Sequence, residues 1–342
     1  MSESLEVNLL LFILSAIVIG IGGTKLSKVA DQLADATGLG EAVVGALLLG
    51  GITSLAGIIT SITAAADAHP QIAVSNALGG IAAQTAFLAI ADFFYCRANL
   101  EHAAASLPTL VQGALLNALL AIPLLAVTAP NVEFLGIHPA SIAIICGYLF
   151  GLRIVSQVRD DPMWKPQLTT ETLTDENEKS DPDSSVNLPQ LWLMLGWLAI
   201  VIAGAGYLLA KTGVSLSEQT AISETVVGGL FIAISTALPE LVTSVAAVKR
   251  GAITLAISAI IGGNSFDVLL LSFSDFAYPE GSIYNAITQS EVFVIGLTIL
   301  MTSILLLGLL KREKSGIGNI GFETFSILVL YLGGFVILLT WG

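Results

Sequence analysis

Long apolar runs separated by short polar joints fill almost the whole chain. Ten of them have about the 20 residues a helix needs to cross a bilayer. They lie at about 7–26, 41–66, 71–95, 104–128, 138–157, 189–210, 224–248, 252–274, 288–310 and 321–341. The pattern predicts an all-α membrane protein with ten transmembrane helices. The first run is too long and too lightly flanked for a cleaved signal. One long polar segment, 158–188, interrupts the pattern. It carries eight acids, among them Asp160, Asp161, Glu171 and Asp175, against three bases, and it has no periodicity. It is expected to be an acidic cytoplasmic linker. The predicted units are therefore 1–157, the linker 158–188, and 189–342.

Charge supplies the orientation. Basic residues concentrate on the cytoplasmic side of membrane proteins. With ten spans and the N-terminus outside, twelve of the 13 Lys and Arg fall in inner loops, and only Lys211 falls outside. Plasma or inner membrane is the expected location. Composition agrees: 55% of residues are apolar and 11% charged, against roughly 25% charged in globular domains. Nothing points to nucleic acid. Cys96 and Cys146 fall in separate spans and are expected to be buried small hydrophobes.

The chain also repeats itself. Displaced by 183 residues, Thr53 meets Thr236, Thr60-Ser61 meet Thr243-Ser244, Gly79-Gly80 meet Gly262-Gly263, and Asp92 meets Asp275. Glu41 meets Glu224, and Val43-Val44-Gly45 meet Val226-Val227-Gly228. From 41 to 95 no gap is needed, and 18 of 55 positions are identical. A five-span unit is odd-numbered, so its second copy enters from the opposite side. Inverted repeats of this kind build secondary transporters, whose sites lie near the midplane at broken helices. Breaks are expected at Gly50-Gly51, Ala56-Gly57, Gly79-Gly80, Pro239 and Gly262-Gly263.

The chemistry concentrates in two stretches. In "STALPELVTS" (235–244) a proline and a glutamate stand inside an apolar run. An ionisable residue at that depth is a functional candidate by default. Thr236 lies four residues before Glu240, on the same helix face. In "GGNSFD" (262–267) Asn264 and Asp267 share a face. Carboxylate, amide, hydroxyl and carbonyl oxygens suit hard cations such as Ca²⁺ and Na⁺. No Cys/His cluster, hydrolytic Ser–His arrangement or P-loop is present, so no enzyme, cofactor or ATP drive is expected.

These stretches resemble the second α-repeat of the cation/Ca²⁺ antiporter superfamily, the sodium/calcium exchangers and their relatives. The resemblance rests on "SETVVGGLFIAISTALPELVTSVAAVKRG" (223–251) and "SAIIGGNSFDVL" (258–269). It implies a central site built from spans 2, 3, 7 and 8. Glu240 would be the principal carboxylate ligand, Asp267 the second acid, Thr236 a hydroxyl or carbonyl ligand, and Asn264 the amide. The first repeat departs from the pattern. Thr53 and Ser54 remain, but Gly57 stands where relatives carry a glutamate, and Gln84 stands opposite Asp267. Gln84 is either a neutral ligand or an interhelical hydrogen-bonding residue. Exchange of Ca²⁺ for Na⁺ is the implied activity. A cation/proton antiporter, a non-transporting relative with a degenerate site, and a channel are the alternatives.

Other polar residues are expected to be structural. Asp92 and Asp275 are placed as interfacial carboxylates. Phe93, Tyr95, Phe276 and Tyr278 fit an aromatic belt. Glu41 and Glu224 suit helix starts, and His69 and His102 are expected to be solvated loop residues.

Overall fold

The computed structural model describes residues 4–37, 50–92, 95, 99–104, 106–130, 132–167, 169, 187–314 and 321–341. Expectations for Glu41, Val43–Gly45, Phe93, Cys96, Arg97, Glu171, Asp175 and Lys179 lie outside these residues. So do residues 41–49 of the second span and most of the acidic linker.

Nine helices among the described residues are long and apolar enough to cross a membrane. In chain order the helices are α1 Leu5–Thr37, α2 Leu55–Ala66, α3 Pro70–Asp92, α4 Leu100–Ala103, α5 Leu107–Thr128 and α6 Pro139–Asp160. There follow α7 Leu188–Gln219, α8 Glu224–Arg250, α9 Ile253–Asp267, α10 Leu269–Ala277, α11 Gln289–Lys311 and α12 Phe322–Trp341. The second expected span enters the described residues as a turn of helix from Gly50, bends at Ser54 and continues as the twelve-residue α2.

The bundle is arranged around α3, which is buried from end to end and packs against α2, α8, α9, α11 and α12. Its sequence explains this. Ala, Gly and Ser fill ten of its 23 positions, and small residues let helix backbones approach closely inside a bilayer. The closest approach is to a π-helical turn, Val227–Ile232, at the start of α8. A Cβ on Gly228 would sit 2.7 Å from the Ile72 carbonyl oxygen, and one on Gly79 would overlap Gly229 backbone. Wide π turns of this kind recur at functional sites.

α1 and α7 pack along each other on the outside of this core, with α1 against α8 and α7 against α2. Glycines line these seams. A Cβ on Gly23 would strike the Pro239 ring, and one on Gly206 would lie 3.0 Å from the Ala56 carbonyl. Outward-facing Leu193, Trp197 and Ile200 give α7 an exposed apolar surface, as lipid requires.

Two carboxylates tie distant segments together. Asp275 accepts N–H bonds from His138 (2.9 Å) and Ile283 (2.8 Å), and hydroxyl bonds from Ser141 (2.7 Å) and Ser282 (2.9 Å). Asp92 accepts the Leu100 N–H (2.9 Å) and the Thr324 hydroxyl (3.1 Å). Leu100 and Ile283 stand 183 residues apart, as do Ser141 and Thr324, so the two brackets repeat at the displacement seen in the sequence. Each joins an early segment to a late one. Both aspartates are buried within the protein. A carboxylate with this many donors is stable inside because its hydrogen bonds replace those of water.

Several other expectations change. Pro239 does not interrupt α8, which runs through it, and α3 runs unbroken through Gly79-Gly80. The breaks fall at Ser54 and at Val268, between α9 and α10, rather than at the glycine pairs. Glycine here serves close packing, and the turns occur where polar side chains meet. Cys146 is exposed on α6, not buried. His69 pairs with Glu224 at 2.7 Å, and His102 is buried, with Nδ1 on the Arg312 carbonyl at 2.6 Å. Tyr95 and Phe276 do not form one belt, since the first is buried and the second exposed.

Overpacking a tight contact costs about 1–3 kcal/mol. Gly79→Ala should therefore lower the apparent unfolding temperature clearly. Gly80→Ala, whose Cβ would meet nothing within 4 Å, should leave it unchanged. Thermal unfolding of the two purified variants in one detergent checks the contrast.

Candidate functional site

A small cavity of about 10 Å³ lies where α2, α3, α8 and the α9–α10 junction meet. That is about the least space that holds one water. Ser54, Gly57, Asn76, Gln84, Thr236, Glu240 and Asp267 line it, with Ala77, Gly80 and Leu270.

Asp267 is the final residue of α9, where Val268 hands the chain to α10. One carboxylate oxygen accepts the Ser54 hydroxyl at 2.5 Å, and the other accepts Nε2 of Gln84 at 2.8 Å. Ser54 is free to turn inward because it sits at the bend preceding α2. Two helix interruptions thus meet at one carboxylate. Gln84 and Asp267 are also repeat mates, 183 residues apart. Gln84 therefore does make an interhelical hydrogen bond, and its Oε1 is left buried with no donor among the described residues.

Glu240 comes from the middle of α8. Thr243 and Ser244 direct their hydroxyls to its backbone carbonyl, at 3.1 and 2.5 Å, not to its carboxylate. Its Oε2 is buried and has no donor among the described residues. Pro239 lacks the N–H that would bond the Ser235 carbonyl, so the helix runs on with a weakened ladder beside the cavity.

Asn76 organises the opposite wall. Its Nδ2 donates to the Ser61 hydroxyl (2.8 Å) and the Gly57 carbonyl (3.3 Å), and its Oδ1 accepts the Thr236 hydroxyl (3.2 Å). Sequence reasoning passed over it, because its repeat mate is Ala259 and it belongs to neither motif. The available signal was a lone amide inside an apolar run.

Of the seven residues expected at the site, the structure brings together Glu240, Asp267, Thr236, Ser54 and Gln84. Thr53 and Asn264 are not on the cavity wall. The Thr53 hydroxyl donates to the Gly50 carbonyl at 3.1 Å, and Asn264 donates to the Thr85 hydroxyl at 3.1 Å. Thr53 precedes the bend that places Ser54 on the wall, and Asn264, though on the same face of α9 as Asp267, is turned to Thr85 of α3. Gly57 does face the cavity, and a Cβ there would meet only the end of the Leu270 side chain, at 3.2 Å.

A buried site of two acids and neutral oxygens, where two helix interruptions meet a continuous helix, invites comparison with known transporters. The family model "Sodium/calcium exchanger protein" matches residues 7–155 and 190–341. The chain belongs to that family. Its relatives there include the inner membrane protein YrbG of Escherichia coli strain K12, 26% identical over 328 residues, 96% of this chain and 94% of YrbG. The sodium/calcium exchanger MaX1 of Methanosarcina acetivorans is 28% identical over 142 residues, 41% of this chain and 40% of its own. Among solved structures, the H⁺/Ca²⁺ exchanger CAX superposes with a TM-score of 0.71 at 11% identity, over 98% of this chain and 85% of that one. The sodium-calcium exchanger NCX_Mj gives 0.59 at 18% identity, over 97% and 99%. At these identities the solved structures bear on the fold of this family member, a multi-pass integral membrane protein.

Hydrogen bonds to a charged group contribute about 1.5–3 kcal/mol. Ser54→Ala should therefore destabilise the exchanger-family fold measurably, with a lower apparent unfolding temperature, while Thr53→Ala should do far less. Unfolding curves in detergent, without added divalent cations, test the pair.

Proposed function

We propose that the chain is a secondary antiporter that exchanges Ca²⁺ for monovalent cations through the cavity between Glu240 and Asp267. One observation carries this. Glu240 Oε2 and Gln84 Oε1 are buried oxygens without donors, in residues that line the same cavity as Asp267. Unmatched acceptors at such depth are costly unless a cation or proton meets them. Hydroxyl oxygens of Ser54 and Thr236 complete an all-oxygen set of the kind Ca²⁺ takes. Thr53 and Asn264 would act from behind this wall.

Two acids make two positive charges the natural load, so exchange is one Ca²⁺ against two monovalent ions. Family membership favours Na⁺ as the counter-ion. The second reading is H⁺, favoured by the donorless Glu240 Oε2, which a proton would satisfy as well as a metal ion.

The architecture proposed is ten spans in two inverted five-helix repeats, 1–157 and 189–342, joined by the acidic linker 158–188. The 183-residue correspondence of the Asp92 and Asp275 brackets supports it, as does the Gln84–Asp267 pairing. The N-terminus lies outside and the linker in the cytoplasm. Lys211, the one base left outside, is bonded to Asp67 at 2.7 Å, which lessens the exception. α1 and α7 would slide along their glycine seams against the core to alternate access.

In proteoliposomes, Glu240→Gln should reduce Ca²⁺ exchange to background while the protein still inserts. Asp267→Asn should reduce it strongly but less completely. Wild-type exchange should carry no net current, since each uncompensated charge would couple to about 2.3 kcal/mol per 100 mV. Separate Na⁺, H⁺ and K⁺ gradients identify the counter-ion. Normal flux in Glu240→Gln would remove the site assignment, and a current that follows voltage would remove the stoichiometry.

Gly57→Glu should place a third carboxylate opposite Glu240. Without cations three acids repel, and one of them holds its proton to higher pH. With cations the site holds more positive charge. Tighter Ca²⁺ binding by calorimetry, or a change to current-carrying exchange, is expected, together with a steeper pH dependence. A folded variant that matches the parent in affinity, current and pH profile would place Gly57 outside the site.

A further inference from the structure

The two aspartate brackets match in their bonds but not in their surroundings. Near Asp275 stand Tyr284 and Ala140, both neutral. At the corresponding positions near Asp92 stand Glu101 and Glu323. Both glutamates are almost wholly buried, at 1% and 0% exposed, and their carboxyl groups lie within hydrogen-bonding reach of each other. Glu101 Oε2 and both carboxyl oxygens of Glu323 have no donor among the described residues. Two carboxylates hold no proton to share, so neither can donate. With one proton added, one acid becomes a donor to the other.

The pocket is built for the Glu323 side chain. A Cβ on Gly308 or on Gly321 would run into it. The charged groups around the pair are few. Asp92 faces it from α3, and His102 adjoins Glu101 in α4. Lys311, Arg312, Glu313 and Lys314 come from the end of α11 and the chain after it. Lys311 is shared with Glu313, 3.4 Å away, and lies over the Phe322 ring. Arg312 donates to the His102 carbonyl at 2.8 Å, and also to that of Gln167. Burial, then the charges of Asp92 and Glu323, push Glu101 well above the usual carboxylate range. One shared proton would give each acid of the pair its hydrogen bond.

We propose that Glu101 and Glu323 form a proton-binding site apart from the Glu240–Asp267 cavity, where one shared proton fastens the α3–α5 connection to the α11–α12 connection. The same two connections are already stitched by the Asn99 N–H to the Lys314 carbonyl (3.2 Å) and Asn99 Nδ2 to the Glu313 carbonyl (2.8 Å). The inference does not depend on which ions are transported. Its sign follows from linkage. Glu101 holds its proton more tightly folded than unfolded, so the stabilisation is present at low pH and fades as pH rises through the folded-state titration.

The test uses the full chain in lipid nanodiscs, as wild type, Glu101→Gln and Glu323→Gln. Glutamine supplies a permanent N–H donor without charge, so it imitates the protonated acid. Infrared pH-difference spectra should show a protonated-carboxyl C=O band in the wild type that both variants lose. The apparent unfolding temperature of the wild type should fall with rising pH, and that of Glu101→Gln should fall less. A wild-type spectrum without such a band, or a band unchanged in either variant that folds, overturns the proposal. So does a rise in unfolding temperature with added Ca²⁺ or Na⁺ that Glu101→Gln abolishes and Glu240→Gln keeps, which would make the pair a metal site instead.

Discussion

Everything at the centre of this protein depends on how closely α3 can approach α8. The contact is backbone to backbone, through Gly79 and the Gly228-Gly229 turn. No side chain larger than hydrogen fits there. In lipid, helices gain no hydrophobic drive toward each other, so close packing has to hold them together. That approach also sets the distance across which Asn76 of α3 reaches Thr236 of α8. A wider spacing would leave Asn76 Oδ1 without this donor, while Thr236 would keep its bond to the Ala233 carbonyl, and an unbonded polar group in hydrocarbon is expensive.

Within that frame the polar groups divide into three kinds. The Asp275 bracket and the Asn76 amide have their bonding capacity largely filled. They fix where the chain goes. Glu240 Oε2 and Gln84 Oε1 have no donors, and they line a cavity. These two oxygens border the cavity that the proposed antiport would use. The pair Glu101 and Glu323 is a third kind, with two acids that complete each other only when a proton is present.

The internal repeat is carried by hydrogen bonds as well as by residue identity. Asp92 reaches forward to Thr324 and Asp275 reaches back to Ser141. Each half of the chain therefore supplies the partner that the other half's aspartate needs. Such reciprocal bonds hold the halves in register, while α1 and α7 pack along seams where Gly23 meets Pro239 and Gly206 meets the Ala56 carbonyl.

The apolar runs, local in the chain, were enough to determine most of the helices and the membrane class, and the motifs of 223–251 and 258–269 carried the family resemblance. Hydrocarbon tolerates few other patterns. The acids Glu240 and Asp267 were legible for the same reason, since an ionisable group in such a run is conspicuous. Tertiary structure alone decided which neutral residues join them. Ser54 and not Thr53 faces the cavity because the bend falls at Ser54, after the turn of helix that holds Thr53. Asn76 enters and Asn264 stays out because each is aimed by its helix's rotation against its neighbours, a quantity that spacing along one strand of sequence does not contain. The partners of Asp92 and Asp275 were likewise invisible: their donors lie far away in sequence, and only folding shows that a charge near a span's end is held by protein, not by water.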